Sequence, residues 1–443
     1  MIRLKTAVIS ALVAATFAAC GGNSKNKTLS ESAEAGFVTV SSDGGFKIGD
    51  STYRFIGTNF WYGPILASEG RGGDRERLKR ELDFLQEVGI DNLRILAGAD
   101  GAENLASHIA PTLQTAPGVY NDTLLVGLDY LLADLEKRGM KAVVYLNNAW
   151  EWSGGFSTYL EWAGAGKAVN PADAGYPAYM KYVSDFVRND SARALAANHV
   201  RAIVGRVNSL TGRPYSESPA IMSWQIANEP RPFAEESMRQ FAEWIGETAR
   251  LIKSLDSNHL VSVGSEGSWG CENSMELWTE IHAIPEVDYA TIHIWPYNWS
   301  WISADSVATG VDNAVTNTLD YVKAHSDALT AALGGVAKPI VLEEFGYPRD
   351  SMAIAPGTAV SGRDTYYKYV FDEVVKGGRL AGVNFWAWGG FAEPTHQTWE
   401  AGDDYTGDPA QEAQGLNSVF ACDSTTVGVI RNAVDRLHGK STN

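Results

Sequence analysis

Along most of the chain, short apolar runs alternate with longer stretches in which apolar residues recur every three or four positions. The short runs fall at residues 53–59, 92–96, 141–146, 221–226, 260–264, 289–294, 339–343 and 382–385. Their length and near-continuous apolar character predict strands covered on both faces, as in a parallel sheet. Amphipathic stretches at 75–88, 124–138, 232–255, 314–332 and 363–376 predict helices between them. Eight strands with intervening helices predict an α/β fold, a (β/α)₈ TIM barrel with long loops, as one catalytic domain over 37–443. A doubly wound sheet would need a glycine-rich phosphate turn, and the sequence shows none. In a barrel the chemistry belongs at the C-terminal ends of the strands.

The first residues have a different pattern. Arg3 and Lys5 precede an apolar run from residue 6 to 17 that ends in Ala18, Ala19 and Cys20. This reads as a signal peptide over 1–19, too short to span a bilayer as a mature anchor. The small-small-Cys ending resembles a bacterial lipobox, which implies lipidation of Cys20. The polar, small-residue stretch at 20–36 reads as a flexible tether. The expected location is the bacterial envelope, by lipid anchor, or the medium.

Composition narrows the partners. The chain has 443 residues, 45% of them hydrophobic, which supports a packed core rather than disorder. A formal net charge of −17 disfavours nucleic acid and anionic lipid as partners of the folded part and is indifferent to a neutral polysaccharide. The 14 Trp and 18 Tyr supply flat faces for sugar rings as well as core packing. Cys271 and Cys422 would meet an oxidising compartment after export, and their pairing is left open by the sequence. No HExxH, Cys/His cluster, Walker loop or dinucleotide fingerprint is present, so neither a metal nor a cofactor is expected.

Two carboxylates emerge where apolar runs stop. The fourth strand, IMSWQIA, runs into Asn228, Glu229, Pro230 and Arg231, and the proline ends its ladder. The seventh runs into Glu344, Phe345 and Gly346. Glycoside hydrolysis needs such a pair, one acid to protonate the leaving oxygen and one carboxylate to attack. Short strand tips favour a close pair, hence retention through a covalent glycosyl-enzyme. Arg94, in NLRIL at the second strand's tip, is the cation expected to keep Glu344 ionised, while burial raises Glu229. Glu343 competes for the nucleophile role, since neighbouring strand residues face opposite ways. The Phe-Gly that follows favours Glu344.

On these motifs the chain resembles glycoside hydrolase family 5, and within it the endo-β-1,4-mannanases, over residues 37–436. The resemblance implies Glu229 as acid/base, Glu344 as nucleophile, Asn228 as a bond to the 2-hydroxyl, Arg94 as partner of the nucleophile and Trp386 as the platform under the sugar being cleaved. His293, in TIHIWPYNWSW, matches the family's strand-six histidine. Trp295 stands where the family commonly has tyrosine. The strings GTNFWYG, YLNNAWEWSGG, NEPR and GDPAQEAQGLNSVF are similar to the mannanase subgroup, which places Trp61 and Tyr62 in sugar subsites and Arg231 on the leaving-group side. Trp150 and Trp152 read equally as sugar contacts or as loop packing, and Glu266 reads more simply as a structural carboxylate than as a sugar contact. The implied partners are β-mannan and manno-oligosaccharides. A monomer is expected, although the sequence itself does not encode the oligomeric state. The rival readings are a β-1,4-glucanase or exo-acting enzyme on the same barrel, and a non-catalytic polysaccharide-binding protein.

Overall fold

The computed structural model describes residues 36–103 and 107–439. The expected signal peptide, Cys20 and all but the last residue of the tether lie outside the described residues. Eight parallel strands form one sheet: Phe55–Asn59, Asn92–Leu96, Lys141–Tyr145, Ile221–Gln225, Leu260–Ser262, Ala290–Ile294, Ile340–Phe345 and Gly382–Phe385. Their order in the sheet is five, four, three, two, one, eight, seven, six. The first strand therefore pairs with the eighth, Gly382 opposite Phe55 and Phe385 opposite Thr58. The remaining seam, between strands five and six, closes through individual bonds. Asp288 N donates to Val261 O (2.8 Å), Ser265 N to Thr291 Oγ1 (2.8 Å) and His293 N to Glu266 O (3.2 Å). The expected (β/α)₈ barrel is present.

The outer ring follows the predicted helices. Arg75–Val88 starts at Asp74, whose side chain accepts from Arg77 N, and Asp122–Arg138 starts at Asn121, which accepts from Thr123 N and Leu124 N. Both caps satisfy amides that the first turn leaves unpaired. Val311–Ala332 and Ser361–Val375 lie within a few residues of expectation. The helix expected from residue 232 begins only at Met238. Glu229 and Phe233 take φ values of 48° and 58°, so the chain turns sharply before it can wind.

Three features escaped the apolar pattern. Between strands three and four lie Gly155–Trp162, Tyr176–Val183 and Asp190–Val204, and after strand eight lies Ser424–Leu437. Between strands five and six lies Met275–Ala283. Tyr53, read above as the start of strand one, instead belongs to an antiparallel sheet of Val38–Val40, Phe46–Ile48 and Ser51–Tyr53. Its Val38, Phe46 and Tyr53 pack on Phe55, Val143, Met222, Leu260, Tyr289, Val341 and Ala381. This sheet stoppers the N-terminal end of the barrel, leaving the C-terminal end as the open one. Cys271 is buried and Cys422 exposed, and both are unpaired. Among the described residues no helix is long and apolar enough to cross a membrane.

Candidate active site

The open end is organised around a buried arginine. Arg94, fully buried in the middle of strand two rather than at its expected tip, donates from Nε to Gln225 Oε1 (2.8 Å), from Nη1 to Asn59 Oδ1 (2.9 Å) and to Glu344 Oε1 (2.5 Å), and from Nη2 to Asn228 Oδ1 (2.8 Å). Its guanidinium also lies over the Tyr145 ring, 4.5 Å from the centroid. One planar fork thus fixes side chains from strands one, four and seven. A lysine, with a single charged centre, could not make this set of bonds.

Glu229 reaches the same point from strand four. Its Oε2 accepts from Trp150 Nε1 (2.6 Å) and its Oε1 lies 2.9 Å from His293 Nδ1. His293 Nδ1 is also 3.4 Å from Glu344 Oε2. One oxygen of each glutamate and one nitrogen of His293 fall within 4.8 Å of one another. Burial pushes both carboxyls above the ordinary carboxylate range, and Glu229 raises Glu344 further by repulsion while Arg94 draws it back. Two such neighbours cannot both ionise freely, so the pair holds one proton between them. Burial and the nearby Arg94 hold His293 well below the usual imidazole range, so it is neutral, with Nδ1 2.9 Å from Glu229 Oε1.

Strand seven departs from simple alternation. Leu342 pairs with Ile292 but Glu344 pairs with His293, leaving Glu343 as the extra residue. This irregularity turns both glutamates inward, where neighbouring strand residues were expected to face opposite ways, yet only Glu344 reaches the cleft, as expected. Glu343 sits lower, fully buried, accepting from Gln225 Nε2 (2.5 Å) and Tyr289 OH (3.2 Å), with Arg94 Nε 3.9 Å away. Glu344 lines the cleft above it. Gly346 follows because Trp295 packs where a Cβ would stand.

The cleft encloses about 330 Å³ and brings together Asn228, Glu229, Arg231, Trp295, Glu344 and Trp386 from the expected set. Trp295 and Trp386 meet edge to face, 6.0 Å between centroids. Arg231 Nε donates to Glu266 Oε2 (2.5 Å), and its guanidinium lies 5.1 Å from the Trp150 centroid. Glu266 thereby has a structural partner as well as a place in the cleft wall. Trp61 and Tyr62 must be corrected. Trp61 donates to Gly407 O (2.9 Å) and Tyr62 to Trp388 O (2.8 Å), both are buried, and neither lines the cleft. They pack with Trp152 and Tyr405 under the loop that follows strand eight.

The structure adds residues that the motif reading left undecided or missed. Trp150 is bonded to Glu229, Asn59 and Gln225 hold Arg94, and Asn148 Oδ1 accepts from Asn228 Nδ2 (3.2 Å). Asn59 and Gln225 are polar residues embedded in apolar strands, a signal that could have found them. Among the described residues Glu229, His293 and Glu344 are the set whose spacing could hold a metal ion. Arg94 already places a fixed positive charge on Glu344, which favours proton sharing over cation binding at this point.

Comparisons with known proteins agree with this geometry. Residues 35–441 match the model of a family described as GH family 5 beta-mannosidase-like. A putative mannan endo-1,4-beta-mannosidase 9 of Oryza sativa subsp. japonica is 31% identical over 372 residues, covering 81% of this chain and 82% of that protein. Mannan endo-1,4-beta-mannosidase 1 of Solanum lycopersicum is 29% identical, covering 80% and 84%. The glycoside hydrolase family 5 mannosidase of Rhizomucor miehei superposes with a TM-score of 0.82 at 33% identity, covering 92% of this chain and 98% of that one. The endo-beta-1,4-mannanase of Thermotoga petrophila superposes with a TM-score of 0.65 at 26% identity, covering 89% and 79%. On its matched length, its barrel and its strand-end carboxylates, the chain belongs to the β-mannosidase-like family of glycoside hydrolase family 5.

Proposed function

We propose that the protein is a retaining, endo-acting glycoside hydrolase that cleaves internal β-1,4-mannosidic linkages in mannan, glucomannan or galactomannan. The observation that carries this reading is the buried pair Glu229 and Glu344, within 4.8 Å and with Arg94 bonded to Glu344. That separation leaves no room for a water between carboxylate and sugar, as inversion requires, and suits direct attack. The substrate follows from the relatives named mannan endo-1,4-beta-mannosidase and from the fungal mannosidase solved with mannosyl-fructose.

In this mechanism Glu344 attacks the anomeric carbon while Glu229 gives its proton to the departing glycosidic oxygen. A glycosyl ester on Glu344 forms and the polymer's leaving part departs with its new hydroxyl. Glu229, now ionised, takes a proton from water, which displaces Glu344 from the sugar with retention overall. Trp150 Nε1–H donates to Glu229 and neutral His293 places Nδ1 2.9 Å from it, holding it in place, and the indole N–H stabilises its anion in the second step. Arg94 holds Glu344 and, through Asn228, the amide assigned to the sugar's 2-hydroxyl. Trp386 is the stacking face and Trp295 abuts it. Arg231 serves the leaving-group side. No cofactor enters these steps.

A second reading, exo action on chain ends, draws support from the higher TM-score to the protein named mannosidase, 0.82, than to the one named endo-mannanase, 0.65. Product lengths from mannan and from soluble cellulose separate the readings. A spread of short manno-oligosaccharides from mannan alone supports endo-mannanase action, mannose alone supports the exo reading, and cleavage of cellulose alone discards mannan as substrate.

We also propose that export and lipidation of Cys20 tether the monomeric enzyme to the envelope. The support is the sequence of residues 1–20. Metabolic labelling with a palmitate analogue should mark the wild type and not Cys20→Ala. Equal labelling of both would overturn it.

A further inference from the structure

The loop that follows strand eight contains the string GDPAQEAQGLNSVF, and the mechanism above uses none of it. Its first acid is a fastener. Asp408 accepts from Gly415 N (2.8 Å), Asn417 N (3.1 Å), Ser418 N (3.2 Å) and Ser418 Oγ (2.5 Å). Gln414 completes the clamp, donating to Asp408 O, Pro409 O (2.9 Å) and Glu412 O (3.1 Å) and accepting from Thr406 Oγ1 (2.7 Å). These bonds stiffen the turn from Pro409 to Glu412, and that turn forms part of the cleft wall.

Its second acid is not fastened. Among the described residues no donor or cation pairs with the Glu412 side chain, and the charged groups that act on it are Asp408, Glu229 and Glu151, all acidic. Nearby polar atoms are also left over. Trp386 Nε1 is buried without a partner, as are Gln411 Oε1 and Glu151 Oε2. Trp386 is 4% exposed, and both it and Gln411 line the cleft. Glu151 stands behind Tyr176, whose hydroxyl donates to it at 3.3 Å and which also lines the cleft. A rigid loop that brings unpaired polar atoms to an aromatic-lined cleft is built for a ligand, because buried polar groups without partners are costly.

The place of this wall gives the ligand's identity. Around the barrel, the loops after strands eight, one, two and three form one half of the rim, and Glu412, Gln411, Trp150, Trp152 and Tyr176 come from that half. Arg231, Glu266, Trp269 and Trp299 come from the loops after strands four, five and six. Trp386 follows strand eight directly, and with its assigned role as the platform under the sugar being cleaved, the half carrying Glu412 faces that sugar or the next one on its non-reducing side. We propose that Glu412 is a substrate-contacting, specificity-determining residue that exchanges hydrogen bonds with ring hydroxyls of the sugar on that side, Gln411 and the Trp386 indole adding to the same wall. The inference rests on the hydrolase reading and deepens it. Burial and the acidic neighbours push the Glu412 carboxyl up to about 8, so at neutral pH it presents one donor and one acceptor, the complement of a hydroxyl, rather than a charge for a cation.

The test compares wild type, Glu412→Ala and Glu412→Gln on an aryl β-mannobioside and on its monodeoxy analogues lacking single hydroxyls of either sugar. Wild type should lose about ten-fold in kcat/KM on at least one deoxy analogue. Glu412→Ala should lose about ten-fold on the parent and show no further loss on that analogue. Glu412→Gln, which keeps a donor and an acceptor in the same shape, should stay within about three-fold of wild type. If the alanine variant does not fold, the glutamine variant decides, since a ten-fold loss there overturns the neutral-acid contact. Parent activity within about two-fold of wild type in Glu412→Ala, or the same deoxy penalties in both proteins, overturns the inference alone. Wild type inert on every β-mannoside overturns the hydrolase reading and the inference with it.

Discussion

Two glutamates, adjacent on strand seven and both close to Arg94, occupy different layers of the barrel. Glu343, in the lower layer, accepts from Gln225 and Tyr289 and has no exposure. Glu344, in the upper layer, bonds Arg94 with one oxygen and turns the other toward Glu229, His293 and the cleft. Residue type is the same, so the difference lies in saturation: a carboxylate fully engaged by protein donors has nothing left for a substrate. The comparison predicts that the upper layer carries turnover and the lower layer carries stability.

The largest effect falls on the upper layer. Glu344→Gln should lower turnover on mannan by about 10⁴-fold or more while leaving a folded protein that still binds oligosaccharide, since the amide oxygen keeps an acceptor for Arg94. Activity near wild type would move the nucleophile elsewhere. Glu229→Ala comes next, with a loss of about 10³-fold on mannan and a much smaller one on substrates whose leaving group needs no proton.

The lower layer should respond in stability. Burial raises the Glu343 carboxyl from 4.5 to about 7. The folded state therefore binds more protons than the unfolded one in that window, and stability falls as pH rises from about 4.5 through 7. Below the unfolded value the contribution is fully present. The shift corresponds to about 3 kcal/mol. Denaturant midpoints at pH 5 and 8 should differ less in Glu343→Gln than in wild type. Glu266, also pushed up to about 7, should keep part of the slope. An unchanged slope in Glu343→Gln would erase the distinction between layers.

A smaller effect is expected from Arg231→Met, about 1–3 kcal/mol of stability or substrate affinity, because the Glu266 partner is left in a mostly buried site. The smallest is none. EDTA should leave mannan hydrolysis unchanged, and a loss restored by a divalent cation would mean that Glu229, His293 and Glu344 hold a metal.

The upper layer was largely legible in the sequence, because Arg94, Glu229 and Glu344 interrupt apolar runs and such interruptions are costly without function. The lower layer was not. Gln225 was read as part of an apolar strand, and the bulge that turns both Glu343 and Glu344 inward appears only when strands six and seven are paired. Trp150 meets Glu229 across 79 positions of chain, a contact that no local pattern encodes. Trp61 and Tyr62 illustrate the opposite error, since an aromatic pair after strand one reads the same whether it faces sugar or core. The barrel's stopper was missed for a related reason. Tyr53 lies two residues before Phe55 and was read with it, and only the alternation in VTV, FKI and STY separates a half-covered hairpin from a buried strand.

The most direct test of the account is to trap the covalent intermediate. The wild-type enzyme would be incubated with a 2-deoxy-2-fluoro-β-mannosyl fluoride, digested, and its peptides sequenced by mass spectrometry. The account predicts one fluoromannosyl ester, on Glu344. An ester on Glu343, or inactivation with no adduct on either glutamate, would contradict it.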